Sequence, residues 1–412
     1  MSAYFHAMRH FSHDVRMYLV VSALYGLGYF GINSVLLNLY LLRLGYNAEF
    51  VGLANASTAI AFALTSIPSG ALGARWGYRN TVMLGVACVA GGMGLVPLAE
   101  ILPGPLQAPG IVISRLFTGL GFALYVVNTY PYLVGATSEQ ERSYVFSIQV
   151  ALSPTMGFVG SLIAGVLPDL FARLLNTTLD SPDPFRIPII LSGALLIPGL
   201  AALLTTSKVE VRATTTAQEQ HRGTFPLMII VMLSLAAMLR MTSEGASRSF
   251  FNVYLDESLA VGTAQIGLLI AVGQLLAGPA ALFAPAMVHR FGKVSTIVVG
   301  TWGIAASLFL MALVPHWSVA GLGFMGVIGM LSIVRAVANV VQMEIVTPGW
   351  RGVTSGIVST AMGTGFSSIA LGGGYLATAT GYRALFTVAG VALCGSALVF
   401  WGYFRTPRGE YA

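Results

Sequence analysis

The stretch "GALGARWGYRN", residues 70 to 80, places two arginines and three glycines between two long apolar runs. Each run has about 20 residues, which is enough to cross a hydrocarbon core of roughly 30 Å as an α-helix. A related stretch, "RFGKV", lies at residues 290 to 294. The pattern predicts a membrane protein in which a short basic turn between two spans occurs once in each half of the chain. The corresponding residues are Arg75 with Arg290 and Gly77 with Gly292.

The composition supports a protein that crosses the membrane many times. Of the 412 residues, 56% are hydrophobic and only 9% are charged, whereas a soluble domain carries about 25% charged residues. Hydropathy and the positions of polar, Gly and Pro breaks predict an all-α membrane protein with twelve transmembrane helices. The predicted spans are residues 16–42, 48–73, 80–100, 109–135, 140–167, 186–206, 226–255, 262–287, 293–314, 318–344, 352–376 and 382–404.

The two halves of the chain repeat one another. "NLYLLRLGYNAEFVG" at 38 to 52 resembles "NVYLDESLAVGTAQIG" at 252 to 267 with one inserted residue, and Arg142 opens span five as Arg351 opens span eleven. Six spans restore the original orientation, so the repeat is parallel and predicts two pseudo-symmetric six-helix bundles.

Two connections are expected to be long. One is residues 168–186, between spans five and six, and the other is a polar, charged stretch between the halves. The predicted domains are an N-terminal bundle at 1–206, a cytoplasmic linker at 207–225 and a C-terminal bundle at 226–412.

The distribution of Lys and Arg predicts the orientation. With the N-terminus in the cytoplasm, thirteen of these residues fall on the cytoplasmic side and four on the other. This positive-inside bias predicts a protein of the cell membrane with both termini and the linker cytoplasmic. The formal charge of +6 then reflects topology, and no nucleic-acid partner is expected.

The residues of the opening stretch resemble the signature of the major facilitator superfamily between spans two and three. Gly70, Arg75, Gly77 and Arg79 stand where that signature has them, and Ala74 stands where it has an Asp. In the family this Asp helps to lock the two halves in a cytoplasmic gate, so the gate of this chain is expected to differ. The resemblance covers the whole chain and implies two bundles that rock about a central ligand site.

A second element of the resemblance lies in span four. "RLFTGLG" matches the family's Arg-x-x-x-Gly-x-Gly element with Arg115, Gly119 and Gly121. In related exporters this Arg is implicated in proton coupling. Neither the antiporter signature of span five nor a sugar-porter signature is present, so the resemblance implies the architecture and leaves the solute open.

Span seven contains "LRMTSEGASRSFFNVYL", residues 239 to 255, in which Arg240, Glu244 and Arg248 follow at i, i+4 steps. The three share an arc of roughly 80° on one helix face. A lone charge near mid-membrane costs at least ~2.5 kcal/mol, so the stripe is expected to face the protein interior or water. Two interpretations stay open: a structural ion network or gate, and a site for substrate, protons or both.

The intramembrane charges predict an electropositive interior. Arg115, Arg240, Arg248 and Arg335 stand against Glu244 alone. Such an interior favours anionic or zwitterionic ligands, because Arg binds a carboxylate or phosphate through two parallel hydrogen bonds. Glu244 is the candidate for proton coupling, since a carboxyl group shielded from water favours its protonated form, while the flanking arginines favour the ionised form.

Other polar and aromatic side chains in the spans are candidates for ligand contact, although for each amide taken singly a hydrogen bond between two helices is the favoured role, and most aromatics in such a chain pack or face lipid. These candidates are Asn33, Asn128, Gln149, Gln274, Asn339, Tyr25 and Tyr29. His6, His10 and His13 share one side of a short amphipathic segment, which is more typical of an interfacial helix than of a metal site. No metal and no cofactor is predicted.

These features predict a secondary active transporter for a small organic solute. We expect a monomer in the lipid bilayer, coupled to protons and exporting amphipathic compounds. Uptake or exchange of an organic anion is the alternative, and a non-transporting sensor or scaffold is a more remote one. An enzyme is not expected, because neither His-Glu-x-x-His nor Gly-x-Ser-x-Gly occurs in the chain.

Overall fold

The computed structural model describes residues 11–207, 226–346 and 350–406. In these ranges all regular secondary structure is helical. The first half holds α1 His13–Arg43, α2 Ala48–Trp76, α3 Tyr78–Leu98, α4 Gly104–Ala136, α5 Glu139–Leu175 and α6 Asp183–Leu204. The second half holds α7 Leu227–Glu257, α8 Thr263–Leu282, α9 Lys293–Leu313, α10 Trp317–Ile345, α11 Arg351–Thr380 and α12 Tyr382–Phe404. The linker predicted at 207–225 falls, beyond Ser207, outside the described residues.

The twelve helices agree with the predicted all-α membrane fold. Eleven of those described are long and apolar enough to cross a membrane. The remaining helix is α11, which has 30 residues and is rich in Gly, Ser and Thr. Its length alone exceeds the roughly 20 residues that a span requires.

Two predicted boundaries were wrong. Helix α5 continues through Pro168 to Leu175, so most of the connection expected at 168–186 is helix. A Pro removes one backbone donor, which neighbouring helices compensate in a membrane protein, and α5 ends only where Asn176 takes a left-handed φ of 52°. Span eight was expected to run from 262 to 287, but it breaks at Phe283 and resumes as a short helix, Ala284–Phe291.

The turns that carry the repeated basic motif have the same backbone conformation. Gly77 is the N-cap residue before α3 with φ 88°, and Gly292 is the N-cap residue before α9 with φ 79°. Both values lie in the region that glycine adopts at no steric cost. The sequence match at these two positions therefore has a conformational cause, and Arg75 and Arg290 are both exposed beside the turns.

The chain forms two compact units. One comprises residues within 1–45, 60–214 and 263–271, and the other residues within 46–59, 215–262 and 272–412. The beginning of α2 thus belongs to the second unit and the beginning of α8 to the first. The division of the chain into two bundles at the linker stays a prediction.

Close helix contacts explain why the beginning of α2 belongs to the second unit and the beginning of α8 to the first. In the first unit a Cβ on Gly267 of α8 would lie 2.7 Å from the Cα of Gly165 in α5. In the second unit a Cβ on Gly374 of α11 would lie 2.6 Å from the carbonyl oxygen of Ala48 in α2. Small residues allow helix backbones to approach this closely in membranes. Helices α5 and α8 correspond to α11 and α2 in the internal repeat, so the same contact is made twice.

Candidate functional site

An ion network joins α7 to α10 in the second unit. Glu244 accepts a hydrogen bond from Arg248 Nε at 2.8 Å, one turn further along α7. Its other carboxylate oxygen accepts from Arg335 Nη2 of α10. The Glu244 side chain is only 11% exposed, so the two arginines enclose it. The i, i+4 contact was predictable from the stripe, whereas the contact with Arg335 was not.

Both arginines of this network remain accessible. The side chain of Arg248 is 40% exposed and that of Arg335 is 46% exposed. A guanidinium carries five N–H donors in a planar fork, and each guanidinium places one nitrogen on Glu244. Two positive charges against one carboxylate leave the network positive. We call Glu244, Arg248 and Arg335 the charged triad.

Arg240 does not join the triad, although it lies on the same face of α7. The residue is 7% exposed, and its Nε has no hydrogen-bond partner among the described residues. It lines a small cavity together with Gln342 of α10 and Phe400 of α12. The stripe predicted from sequence is therefore divided between an accessible ion network and a buried cation.

Aromatic side chains stack in the first unit between α1 and α4. Tyr25 and Tyr125 have ring centroids 4.4 Å apart and nearly parallel planes. Tyr29 stacks on Phe122 at 5.5 Å, and Phe30 contacts Tyr25 edge-on at 5.8 Å. Tyr25 is fully buried, and its hydroxyl has no partner among the residues described. We call these stacked rings the aromatic wall. It combines apolar surface with the Tyr25 hydroxyl, which has no acceptor among the described residues.

A π-helical segment, Gly26–Asn33, carries Tyr29 and Phe30. Such segments are rare and occur often at functional sites. Its glycines contact neighbouring backbones: a Cβ on Gly26 would lie 2.8 Å from the carbonyl oxygen of Ser153. In the internal repeat, this segment corresponds to Arg240 to Ser247 of α7. The sequence did not predict it, because hydropathy carries no signal for a wider helical turn. "GLGYFG" was the one local cue.

Arg115 of α4 lies near this wall. The residue is 4% exposed and interacts electrostatically with Tyr29. Arg115 and Tyr29, two of the candidates from sequence, therefore lie close to each other, and their role in ligand binding stays a prediction.

The candidate amides divide into different environments. Asn128 donates to the carbonyl oxygens of Ser69 and Leu124, which favours the helix-joining interpretation for this residue. Asn33 is buried, and within the described ranges its Oδ1 has no partner. Asn339 is exposed one turn from Arg335 on α10. Gln149 and Gln274 are half-buried on α5 and α8.

Arg79, in the first of the two basic motifs, stabilises the end of α6. Arg79 donates from Nη2 to the carbonyl oxygens of Leu203 and Leu204, both at 2.9 Å, and from Nε to Thr206 at 2.9 Å. The bonds to Leu203 and Leu204 supply charged donors to carbonyl oxygens in the last turn of α6. Gly70 packs near Val127 of α4. Whether these residues also act in gating stays a prediction.

The histidine cluster predicted from sequence falls mostly outside the described residues. His6 and His10 lie there, while His13 hydrogen-bonds to Thr205 at 2.9 Å. In the parts of the chain that the structure describes, no group of three or more His, Cys, Asp or Glu could hold a metal ion.

Comparisons with known proteins agree with this architecture. The sequence model of the Major Facilitator Superfamily matches residues 18–233 and 233–412. No curated protein matches the chain in sequence. Among solved structures, a point mutant of the nucleoside transporter NupG aligns with TM-score 0.76 and 14% identity over 95% of this chain and 100% of that one.

Two other solved structures align over similar lengths. A D-xylose-proton symporter has TM-score 0.73 and 16% identity over 95% of this chain and 97% of its own. A bacterial homologue of the human lysosomal transporter Spinster, inward-facing and occupied, has TM-score 0.71 and 16% identity over 95% and 96%. At these identities the likeness establishes the fold alone.

Proposed function

Because the chain belongs to the Major Facilitator Superfamily, it is a secondary transporter that moves a small solute by alternating access, and we propose that this solute is an organic anion. One observation carries the proposal: two half-exposed arginines share a single carboxylate in membrane helices. Ionisable residues are rare within membrane spans and mark solute or ion pathways. The chain is a transporter and not an enzyme.

The charge and geometry of the triad favour an anion over a cation. Arg248 and Arg335 together exceed the charge of Glu244 by one unit. A planar guanidinium binds a carboxylate through two parallel hydrogen bonds. A carboxylate solute would therefore meet both charge and donors, whereas a cationic solute would meet repulsion.

The same geometry supports proton coupling through Glu244. A solute carboxylate that takes donors from Arg335 or Arg248 competes with Glu244 for them. Glu244 is 11% exposed, so losing these partners leaves a shielded carboxylate that favours its protonated form. Each anion would then enter with a proton, and an inward proton gradient would drive uptake.

Export of amphipathic compounds is the second candidate, and the aromatic wall favours it. Tyr25, Tyr29, Phe30 and Phe122 offer stacked rings, and large apolar ligands are bound by such surfaces with a few polar groups for orientation. The sequence favoured this function, but the triad moves anion transport ahead of it. The positive-inside bias supports a cell-membrane protein with both termini in the cytoplasm, and we expect it to act as a monomer.

Solute class can be tested with purified protein in liposomes. Size-matched monocarboxylates, dicarboxylates, zwitterions and lipophilic cations would be compared by thermal stabilisation and by counterflow. We expect anions to stabilise the protein and to exchange, and Arg335→Gln to abolish both effects. Lys293→Gln is the matched control, because Lys293 makes an exposed ion pair with Glu344 between α9 and α10 at 2.5 Å. Stabilisation by cations alone, unchanged in Arg335→Gln, would refute anion transport.

A further inference from the structure

A small cavity in the second unit lies against Arg240. About 20 Å³ of it is open to the centre of a water molecule, and about 10–15 Å³ is enough to hold one water. Its polar lining consists of Arg240 and Gln342, and the other contributors, such as Leu233, Val358 and Phe400, are apolar. The cavity has room for one small species and no room for an organic solute.

The Arg240 guanidinium has no counter-ion in the described parts of the chain. The residue is more than nine-tenths buried, and among the described residues no hydrogen-bond acceptor reaches its Nε. Glu244 is one turn away, but its two oxygens are held by Arg248 and Arg335. A buried charge without a partner is strongly unfavourable, and the like charge of Arg335 acts on Arg240 as well. The structure thus contains a cation and a cavity beside it.

Gln342 can supply a second donor to this cavity. Its amide nitrogen donates to Ser355 Oγ at 3.1 Å, and an amide nitrogen carries two hydrogens. One N–H therefore remains for a species in the cavity. Two N–H donors, one of them charged, surrounded by apolar side chains suit an anion that needs no further polar contacts. Water would leave the charge of Arg240 uncompensated.

We propose that this cavity binds a single inorganic anion of halide size, with Arg240 as its counter-ion and Gln342 as a second donor. The site is separate from the charged triad, so it does not depend on which solute the protein carries. A bound halide neutralises Arg240 and lowers the excess positive charge beside the triad by one unit. The anion is a resident of the fold and is distinct from the transported solute.

The site can be tested without any organic solute. Purified protein would be unfolded thermally in sodium gluconate, sodium sulfate, sodium chloride and sodium bromide at matched ionic strength. We expect a saturable rise in the unfolding temperature with chloride and bromide only. Equal behaviour in all four salts would show that the cavity holds water and would overturn the proposal.

Three variants assign the response to this cavity. Arg240→Gln removes the counter-ion, and Ala338→Ile fills the cavity while keeping the charge, since Ala338 also lines it. We expect both to lose the halide-dependent rise, and Arg248→Gln to retain it. Should Arg240→Gln not fold, Ala338→Ile and an anomalous bromide peak beside Arg240 decide the question. A halide response that survives in Ala338→Ile, or a bromide peak elsewhere alone, contradicts the assignment.

Discussion

The change in anion affinity when Glu244 is substituted distinguishes a triad that binds solute from one that only holds two helices together. Glu244→Gln keeps the shape of the side chain but removes the negative charge shared by Arg248 and Arg335. If a solute carboxylate competes with Glu244 for these arginines, the variant should bind the anion more tightly than the native protein. If the triad only fastens α7 to α10, the variant should lose stability and gain no affinity.

The expected gain can be worked from the contacts. A hydrogen bond to a charged group contributes about 1.5–3 kcal/mol. Because the two arginine side chains are 40% and 46% exposed, water already weakens these pairs, and the lower end of that range applies. Releasing one such contact corresponds to about a tenfold gain in affinity, since each step of about 1.4 kcal/mol is a factor of ten. The same substitution should abolish uptake driven by a pH gradient while counterflow persists.

The assay is a titration of the best anion from the solute panel, read by thermal stabilisation or calorimetry, together with transport in liposomes. Glu344→Gln serves as the control, because it breaks an exposed ion pair with Lys293 and leaves the triad intact. Unchanged or weaker anion binding in Glu244→Gln would refute competition. Uptake still driven by a pH gradient would remove Glu244 from the coupling mechanism.

Three further predictions concern helix ends, helix contacts and the aromatic wall. Arg79→Gln should lower stability by about 1–3 kcal/mol, since its guanidinium satisfies carbonyls at the end of α6, and thermal unfolding would measure this. Gly267→Ala and Gly374→Ala should each lower the unfolding temperature, because the added Cβ would lie 2.6–2.7 Å from backbone atoms. Gly94→Ala is the control and should not lower it, because a Cβ there meets nothing within 4 Å. Equal effects at all three positions would contradict the contact argument. Tyr25→Phe should leave stability unchanged, as its hydroxyl has no partner in the described chain, and should weaken binding of any solute that uses the wall; a marked loss of stability would show that the hydroxyl is a structural group.

Much of the fold follows from local properties of the chain. The twelve helices were predictable because a span needs only a run of apolar residues of sufficient length. The turns at Gly77 and Gly292 were predictable as a repeated pair, since positive φ favours glycine wherever it occurs. The end of α5 was not, because Pro168 breaks a helix in water but is accommodated inside a packed bundle.

The candidate site was predictable only where its residues are neighbours in sequence. Glu244 and Arg248 meet because four residues make one helical turn. Nothing in the sequence pairs Glu244 with Arg335, since 91 positions separate them and only the packing of α7 on α10 brings them together. The same packing left Arg240 beside a cavity instead of beside its neighbours on the helix face.

By itself the sequence determined the membrane class, the helices and the internal repeat, because these depend on hydropathy and on the backbone preferences of single residues. Only the tertiary structure decided which charges are partners, which cation is left buried and where the helix of α1 widens. Those properties depend on which side chains from distant segments share the same low-dielectric space, where an unpaired charge is costly and a shared one is stable.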